Sequence, residues 1–437
     1  MSKIAIVGYA TEGKVSLEYF ISRGHEVTVC DRNENIKVPN GFASQLGDGY
    51  LNNLDNFDLI VRSAGIQPSV IIEANPSVGN KITTAVNEFL ANCPTHNTIG
   101  ITGTKGKGTT STLVAKMLEA AGKKVWLGGN IGNSPLEFMD KIQPDDWVVL
   151  ELSSFQLIDI KHSPHIAACL MIAPEHLNWH LDYEEYIAAK QQLFMWQKSN
   201  DLAIYYAGNE DSLSVADASE GKLIPYYSEP GALVINGQIE IFGKTICNTS
   251  ELQLLGGHNW QNACAATTIA WESGIQNIEV LRSVLTSFSG LEHRLELVAE
   301  IDGAKYFDDS FGTTPETAIV ALQAFSNPKV VVLGGSSKGA SFEDLAIAVK
   351  NANVRHVVLI GDEAERIKES LEKIAYRNYT LGAQTMPEIV EVMRSHSQPG
   401  DVALLSTGCA SFGLFKDYKD RGNQFKKAVL SLAEHAQ

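Results

Sequence analysis

Short runs of β-branched and apolar residues alternate with stretches of helical period along the whole chain. Ile4 to Val7, Glu26 to Asp31 and Leu59 to Val61 read as strands, and Val15 to Arg23 between the first two reads as a helix. That is βαβ patterning, which predicts a small parallel sheet over residues 1–91. The alternation resumes at Thr98 to Thr102 and continues through the helical Ser111 to Leu118, then Val125 to Leu127, Trp147 to Leu150 and Ile166 to Ile172. Tyr186 to Phe194 reads as an amphipathic helix. Leu233 to Phe242 carries an Asn236-Gly237 turn, the mark of an antiparallel hairpin. Val330 to Leu333, His356 to Ile360 and Val402 to Leu405 form a last βα series.

At 437 residues the chain is too long for one core. The expected fold class is α/β in three consecutive units. Residues 1–91 would form a Rossmann-like unit, 92–290 a central ATPase-type unit with a phosphate loop and a small antiparallel appendage, and 291–437 a second Rossmann-like unit.

Candidate chemistry gathers where these strands end. After Thr98 to Thr102 come Gly103, Thr104, Lys105, Gly106, Lys107, Gly108, Thr109 and Thr110. Glycines around a lysine at a strand-to-helix junction let backbone N–H groups and the helix N-terminus converge on a phosphate. Lys107 would reach the terminal phosphates, and Thr109 or Thr110 would hold Mg²⁺. The spacing is shorter than the common Walker pattern, and a plain lysine-bearing turn is the competing reading. Glu151 ends an apolar strand where a second Mg²⁺ contact is expected, although strand-end glutamates are often only solvated. His176 and His180 follow another strand, as metal ligands or as packed imidazoles. Lys190, by its pattern alone, is a surface lysine. Asn259 and Asn262 lie one helical turn apart, able to serve one ligand edge. Gly8 to Gly13 is a GxGxxG turn with Ala10 at its middle glycine, and Asp31 with Arg32 ends the second strand. Arg62 to Ile66 would close the same crevice.

Composition mainly excludes. A formal net charge of −16 lacks the clustered basic residues of a nucleic-acid binder. The amino terminus reads directly as a strand, without a leader, and no apolar run approaches the roughly 18 residues of a membrane span. Six cysteines, Cys30, Cys93, Cys169, Cys247, Cys264 and Cys409, form no CxxC pair and suit a reducing compartment. A cytoplasmic enzyme is expected, a monomer with small-molecule partners, no nucleic acid and no membrane.

Gly103 to Thr110, Glu151 to Gln156, Tyr186 to Lys190, His258 to Asn262, Gly290 to Arg294, Asp308 to Ser310, and Leu404 to Ser406 with Arg421 to Phe425 occur in the order found in the Mur ligases. The resemblance covers essentially the whole chain. Gly128 to Gly132 and Leu152 to Leu157 resemble the members that add D-glutamate to UDP-N-acetylmuramoyl-L-alanine. It implies an ATP-dependent amide ligase of peptidoglycan precursor synthesis that passes through an acyl phosphate. By that resemblance Thr109 and Glu151 hold one Mg²⁺ and His176 a second, while Lys190 is carbamylated and joins that site. Lys107 and His293 would be catalytic, Asn262 would touch adenine, and Arg294 and Asp309 would brace ATP. Thr11, Asp31, Arg32, Ser63, Gly65, Asn130, Ser153 and Gln156 would hold the nucleotide-sugar. Lys338, Ser411 and Tyr418 would frame the amino acid.

The chain departs from the family in three places. Asp309-Ser310-Phe311-Gly312-Thr313-Thr314 puts phenylalanine where the family has lysine, Pro174-Glu175 replaces the usual aspartate before His176, and Gly108 resembles the folylpolyglutamate synthases. A missing cation removes a charge-assisted contact of about 1.5–3 kcal/mol. Lys338 or Lys416 would then substitute, or the amino acid would differ, L-glutamate for example. The rivals are a folylpolyglutamate-type ligase, which leaves the Asp31 crevice without a task, and a nucleotide-sugar-binding regulator without turnover. A dinucleotide oxidoreductase is disfavoured by Ala10.

Overall fold

Runs of Val, Ile and Leu with no polar face must be covered on both sides, and here they become parallel strands between helices. The computed structural model describes residues 1–437 except 255, 337–339, 436 and 437. The first sheet contains β1 (Lys3–Val7), β2 (Glu26–Asp31), β3 (Ala43–Leu46), β4 (Leu59–Arg62) and β5 (Ile82–Thr83), in the order β3-β2-β1-β4-β5 and all parallel. Gly13 lets the helix Thr11–Ser22 lie close to β1, since a Cβ there would stand 2.1 Å from the Gly8 carbonyl oxygen.

The central sheet contains β6 (Thr98–Thr102), β7 (Val125–Gly129), β8 (Trp147–Glu151), β9 (Ile166–Cys169), β10 (Leu202–Tyr206) and β11 (Lys222–Tyr226). Its order is β11-β10-β9-β6-β8-β7, again parallel. β6 therefore lies between β8 and β9, and the segments after all three strands leave from the same edge. That is the switch point at which open α/β sheets bind ligands. β12 (Leu233–Ile235), β13 (Gln238–Ile241) and β14 (Lys244–Asn248) form the antiparallel appendage, with the Asn236-Gly237 turn in place.

Packing divides the chain once, into Met1–Phe288 and Ser289–Gln437. The strands of residues 1–91 do form their own sheet. One apolar core nevertheless runs from Ile4, Phe20 and Phe89 to Phe138 and Leu150, joining that sheet to the central one. The second unit holds β15 (Glu296–Ile301), β16 (Ala304–Asp308), β17 (Lys329–Gly334), β18 (Val354–Ile360), β19 (Tyr379–Leu381) and β20 (Val402–Leu405). Their order is β15-β16-β20-β17-β18-β19, with β15 antiparallel to β16.

Arg62, the last residue of β4, is wholly buried. Its Nε and Nη2 each donate to Asp159 at 2.7 Å, Nη2 donates to the Phe155 carbonyl at 2.8 Å, and Nη1 to that of Ile66 at 3.0 Å. This guanidinium pins the end of the first sheet to the loop after β8. Replacing it leaves Asp159 and those carbonyls without their donors, so Arg62→Leu should lower unfolding free energy by about 3 kcal/mol or more. Urea titration checks this, and an unchanged midpoint would contradict it.

Candidate active site

The turn after β6 bends at Gly106, in the left-handed region at φ 87°, and a Cβ there would meet the Asn262 side-chain oxygen at 2.2 Å. The loop backbone thus lies directly against the helix Gly257–Glu272. Thr104 Oγ1 donates to the Ala173 carbonyl at 3.0 Å, accepts from the Ala173 N–H at 2.9 Å and pairs with the Tyr186 hydroxyl at 2.8 Å. Lys107 Nζ donates to the carbonyls of Gly103 and Thr104, both at 2.9 Å, so the lysine folds over its own loop. Lys105 is exposed and pairs with Glu175. In the helix Lys107–Ala120, Gly108 is buried, and the Thr110 and Ser111 hydroxyls are buried with no hydrogen-bond partner. Thr109 is half-buried, so of the two neighbouring threonines it keeps access to solvent.

Lys190 is not a surface lysine. Asp182 caps its helix, Tyr183–Met195, by accepting from the Glu185 N–H, and about two turns further on Lys190 lies behind the turn after β6. It is 1% exposed. Its Nζ donates to the Gly103 carbonyl at 3.1 Å and to Thr102 Oγ1 at 3.3 Å, and stands 4.6 Å from the Tyr186 ring centroid. Burial first, and the Lys107 charge second, pull the amine down to about 7.

Glu151 is buried at the end of β8 and accepts from Asn130 Nδ2 at 2.8 Å. His176, at φ 59°, is half-exposed and rests on Phe155 with ring centroids 4.7 Å apart. Burial holds its imidazole below the ordinary histidine value; Glu175 opposes this, and Lys107, Lys190 and His180 add to it. His180 belongs elsewhere, as a packed imidazole bonded to Ser154 Oγ at 2.9 Å and Glu185 at 3.0 Å.

The crevice residues of the first sheet sit at its C-terminal edge. Asp31 accepts from the Tyr9 and Asn33 N–H groups at 2.7 and 2.8 Å, and Ser63 Oγ donates to the Gly8 carbonyl at 2.8 Å. The Gly65 carbonyl accepts from the Trp179 indole, while Thr11 and Arg32 are exposed. Ser153 and Gln156 cap a short helix, with Gln156 Oε1 accepting from the Ser153 N–H and Oγ, both at 3.1 Å. Glu12, which the sequence pattern gave no task, accepts from the Ala64 N–H at 3.2 Å and ties the glycine turn to the turn after β4.

In the second unit His293 Nδ1 lies 2.7 Å from Asp308, with the Glu296 carboxylate in the same cluster. Asp309 accepts from Ser406 Oγ at 2.6 Å and from the Leu295 N–H at 3.2 Å, and burial lifts its carboxyl to about 6. The Arg294 guanidinium lies 3.9 Å from the Phe311 ring centroid, and Tyr418 meets the same ring edge-on at 5.1 Å. Ser411 is buried and Lys416 exposed, while Lys338 lies outside the described residues. Arg421, also passed over by sequence reasoning, is wholly buried and donates to the Ser310 Oγ and carbonyl at 2.8 and 2.7 Å. Its place in a motif was the available signal.

Residues 101–270 match the family model of the Mur ligase middle domain, and residues 293–409 match that of the Mur ligase, glutamate ligase domain. The UDP-N-acetylmuramoylalanine-D-glutamate ligase of Clostridium tetani is 35% identical over 98% of this chain and 97% of its own. The chain belongs to the Mur ligase family. The Mur ligase fold is shared with UDP-N-acetylmuramate-alanine ligase from Thermotoga maritima, at a TM-score of 0.55 and 18% identity over 99% of this chain and 100% of that one. Escherichia coli FolC in complex with DHPP and ADP matches with the same TM-score, at 16% identity over 89% and 97%.

Asp309 carries a pH prediction for this Mur ligase. Its folded value lies above its unfolded one, so its contribution is fully present below about pH 4 and lost as pH rises through 6. Relative to Asp309→Asn, the wild type should lose roughly 2–3 kcal/mol of stability between about pH 4 and pH 7. Parallel denaturation profiles for the two proteins would refute this.

Proposed function

We propose that this Mur ligase is ADP-forming and joins D-glutamate to the carboxylate of UDP-N-acetylmuramoyl-L-alanine through an acyl phosphate. The observation that carries the reading is the phosphate loop after β6, backed by a buried Lys190 amine close to neutrality. A carboxylate is a poor electrophile. Transfer of the terminal phosphoryl group of ATP makes it an acyl phosphate, and attack by the amine then expels phosphate and leaves the amide.

Each residue takes a part of that chemistry. Lys107 exchanges its two loop carbonyls for the terminal phosphates, where its charge counters the charge built up in transfer. The orphaned hydroxyls beneath the helix N-terminus and the close fit of Asn262 on Gly106 suit a loop shaped for a nucleotide with Mg²⁺. Two Mg²⁺ ions, when bound, would offset phosphate charge, one held by Thr109 and Glu151 and the other by His176 with Lys190. Lys190 would join CO₂ through its neutral amine, forming an N–C bond, releasing one proton and becoming an anionic carbamate. An ordinary lysine is too rarely neutral at pH 7 for this, and burial supplies the difference.

Asn262 takes adenine, and Arg294 and Asp309 brace ATP. His293, oriented by Asp308, serves the transfer. Thr11, Asp31, Arg32, Ser63, Gly65, Asn130, Ser153 and Gln156 hold the nucleotide-sugar, and Lys338, Ser411 and Tyr418 the amino acid. Arg294 stacks on Phe311, and Lys338 or Lys416 supplies the cation missing at that position. The chain acts as a cytoplasmic monomer. Its six cysteines are free, and none of its described helices is long and apolar enough to cross a membrane.

The test is a product mass from purified protein given ATP, UDP-N-acetylmuramoyl-L-alanine and a panel of D- and L-amino acids. A D-glutamate adduct with stoichiometric phosphate release is expected; an L-glutamate adduct would overturn the stereochemistry, and no phosphate release the ligase itself. Lys190→Ala should cut turnover at least roughly 10–100-fold, as loss of support around a metal does, and short carboxylates should restore part of it. Near-normal turnover in that variant would remove the carbamate from the mechanism.

A further inference from the structure

A cavity of about 880 Å³ opens at the end of the central sheet opposite the phosphate loop. Its lining comes from the segments just before β6, β9 and β10, including Thr95, His96, Lys161, His162, Lys198 and Asp201. The five residues of β6, rising about 3.3 Å each, separate it from Gly103. Its size lies within the roughly 300–1,000 Å³ of small-molecule clefts.

The lining has one sign of free charge. Lys161 and Lys198 are exposed and make no ion pair among the described residues; Lys161 Nζ reaches only the Asn80 carbonyl, at 3.5 Å. The lining acid, Asp201, is already engaged by His165 Nδ1 at 2.8 Å and by the Lys198 N–H at 2.7 Å. Beside them Trp196 is 45% exposed, and its ring is fixed because Nε1 donates to the Ile160 carbonyl at 3.0 Å. In a chain of net charge −16, two uncommitted lysines beside a fixed, exposed indole are the chemistry of an anion that carries a flat ring.

We propose that this cavity binds a nucleoside monophosphate, its base stacked on Trp196 and its phosphate taken by Lys161 and Lys198. Trp196 directly follows the helix that carries Lys190, so occupancy bears on an element of the active site without sharing its ligand.

Cys93 lines the cavity and is half-buried, whereas the other five thiols are buried, so its alkylation reports on this place. The experiment follows Cys93 labelling by peptide mass spectrometry in Lys107→Ala, which disables the phosphate loop, with AMP, UMP or inorganic phosphate added. At ten times the dissociation constant a nucleotide should slow labelling about tenfold. Inorganic phosphate should protect far less, and Trp196→Leu or Lys161→Ala with Lys198→Ala should abolish the protection; the same substitutions made in protein that keeps Lys107 should leave ligase turnover intact. No protection overturns the proposal, as does protection that survives those substitutions, vanishes with Lys107→Ala, or is matched by phosphate. Equilibrium dialysis of labelled AMP and UMP against Lys107→Ala gives a second measure, and less than one nucleotide per chain at saturation overturns the proposal even if Cys93 proves unreactive.

Discussion

A primary amine held in the interior without a carboxylate partner is costly, and among the described residues Lys190 is such an amine. Water is excluded, the Lys107 charge is nearby, and its own contacts are a carbonyl, a hydroxyl and a ring face. A fold selected only for stability would place an apolar side chain here. The cost is borne in the wall of the phosphate loop, and the surroundings make sense together once that amine is read as chemistry. Thr104, which bonds the Ala173 segment to Tyr186, holds the loop against the same helix.

The sheet order makes this arrangement possible. With β6 between β8 and β9, one strand delivers the glycine turn, the next a buried carboxylate and the third the segment bearing His176, all at one edge. The side chains need only reach a few ångströms beyond strands whose positions the core already determines. Arg62 extends that logic to the first sheet, because its guanidinium fixes the turn after β4 to the loop after β8.

The strands and their parallel order were legible because β-branched runs and glycine turns are local signals, and the Asn236-Gly237 hairpin is the plainest case. The glycine turn between β6 and the helix Lys107–Ala120 was legible for the same reason. Lys190 was not, because a helix with mixed apolar and polar positions does not declare which face is buried; only the family resemblance singled it out. His180 and His176 look alike in the chain, yet one is packed against Ser154 and the other half-exposed, a difference set by contacts far apart in sequence. The joining of the first two sheets was also hidden. A core shared by Phe89 and Phe138 leaves no mark in the pattern of either segment.

Phe311 is held between two neighbours of different chemistry. An aromatic ring carries a negative face, and the face of Phe311 is covered by Arg294. The ring's edge is met by Tyr418, whose backbone carbonyl accepts from Ser310, and Ser310 is fixed in turn by the buried Arg421. The guanidinium of Arg294 is thus held by stacking, in a neighbourhood braced by that of Arg421. Held on the ring, Arg294 loses fewer conformers than a free side chain would on meeting an anion.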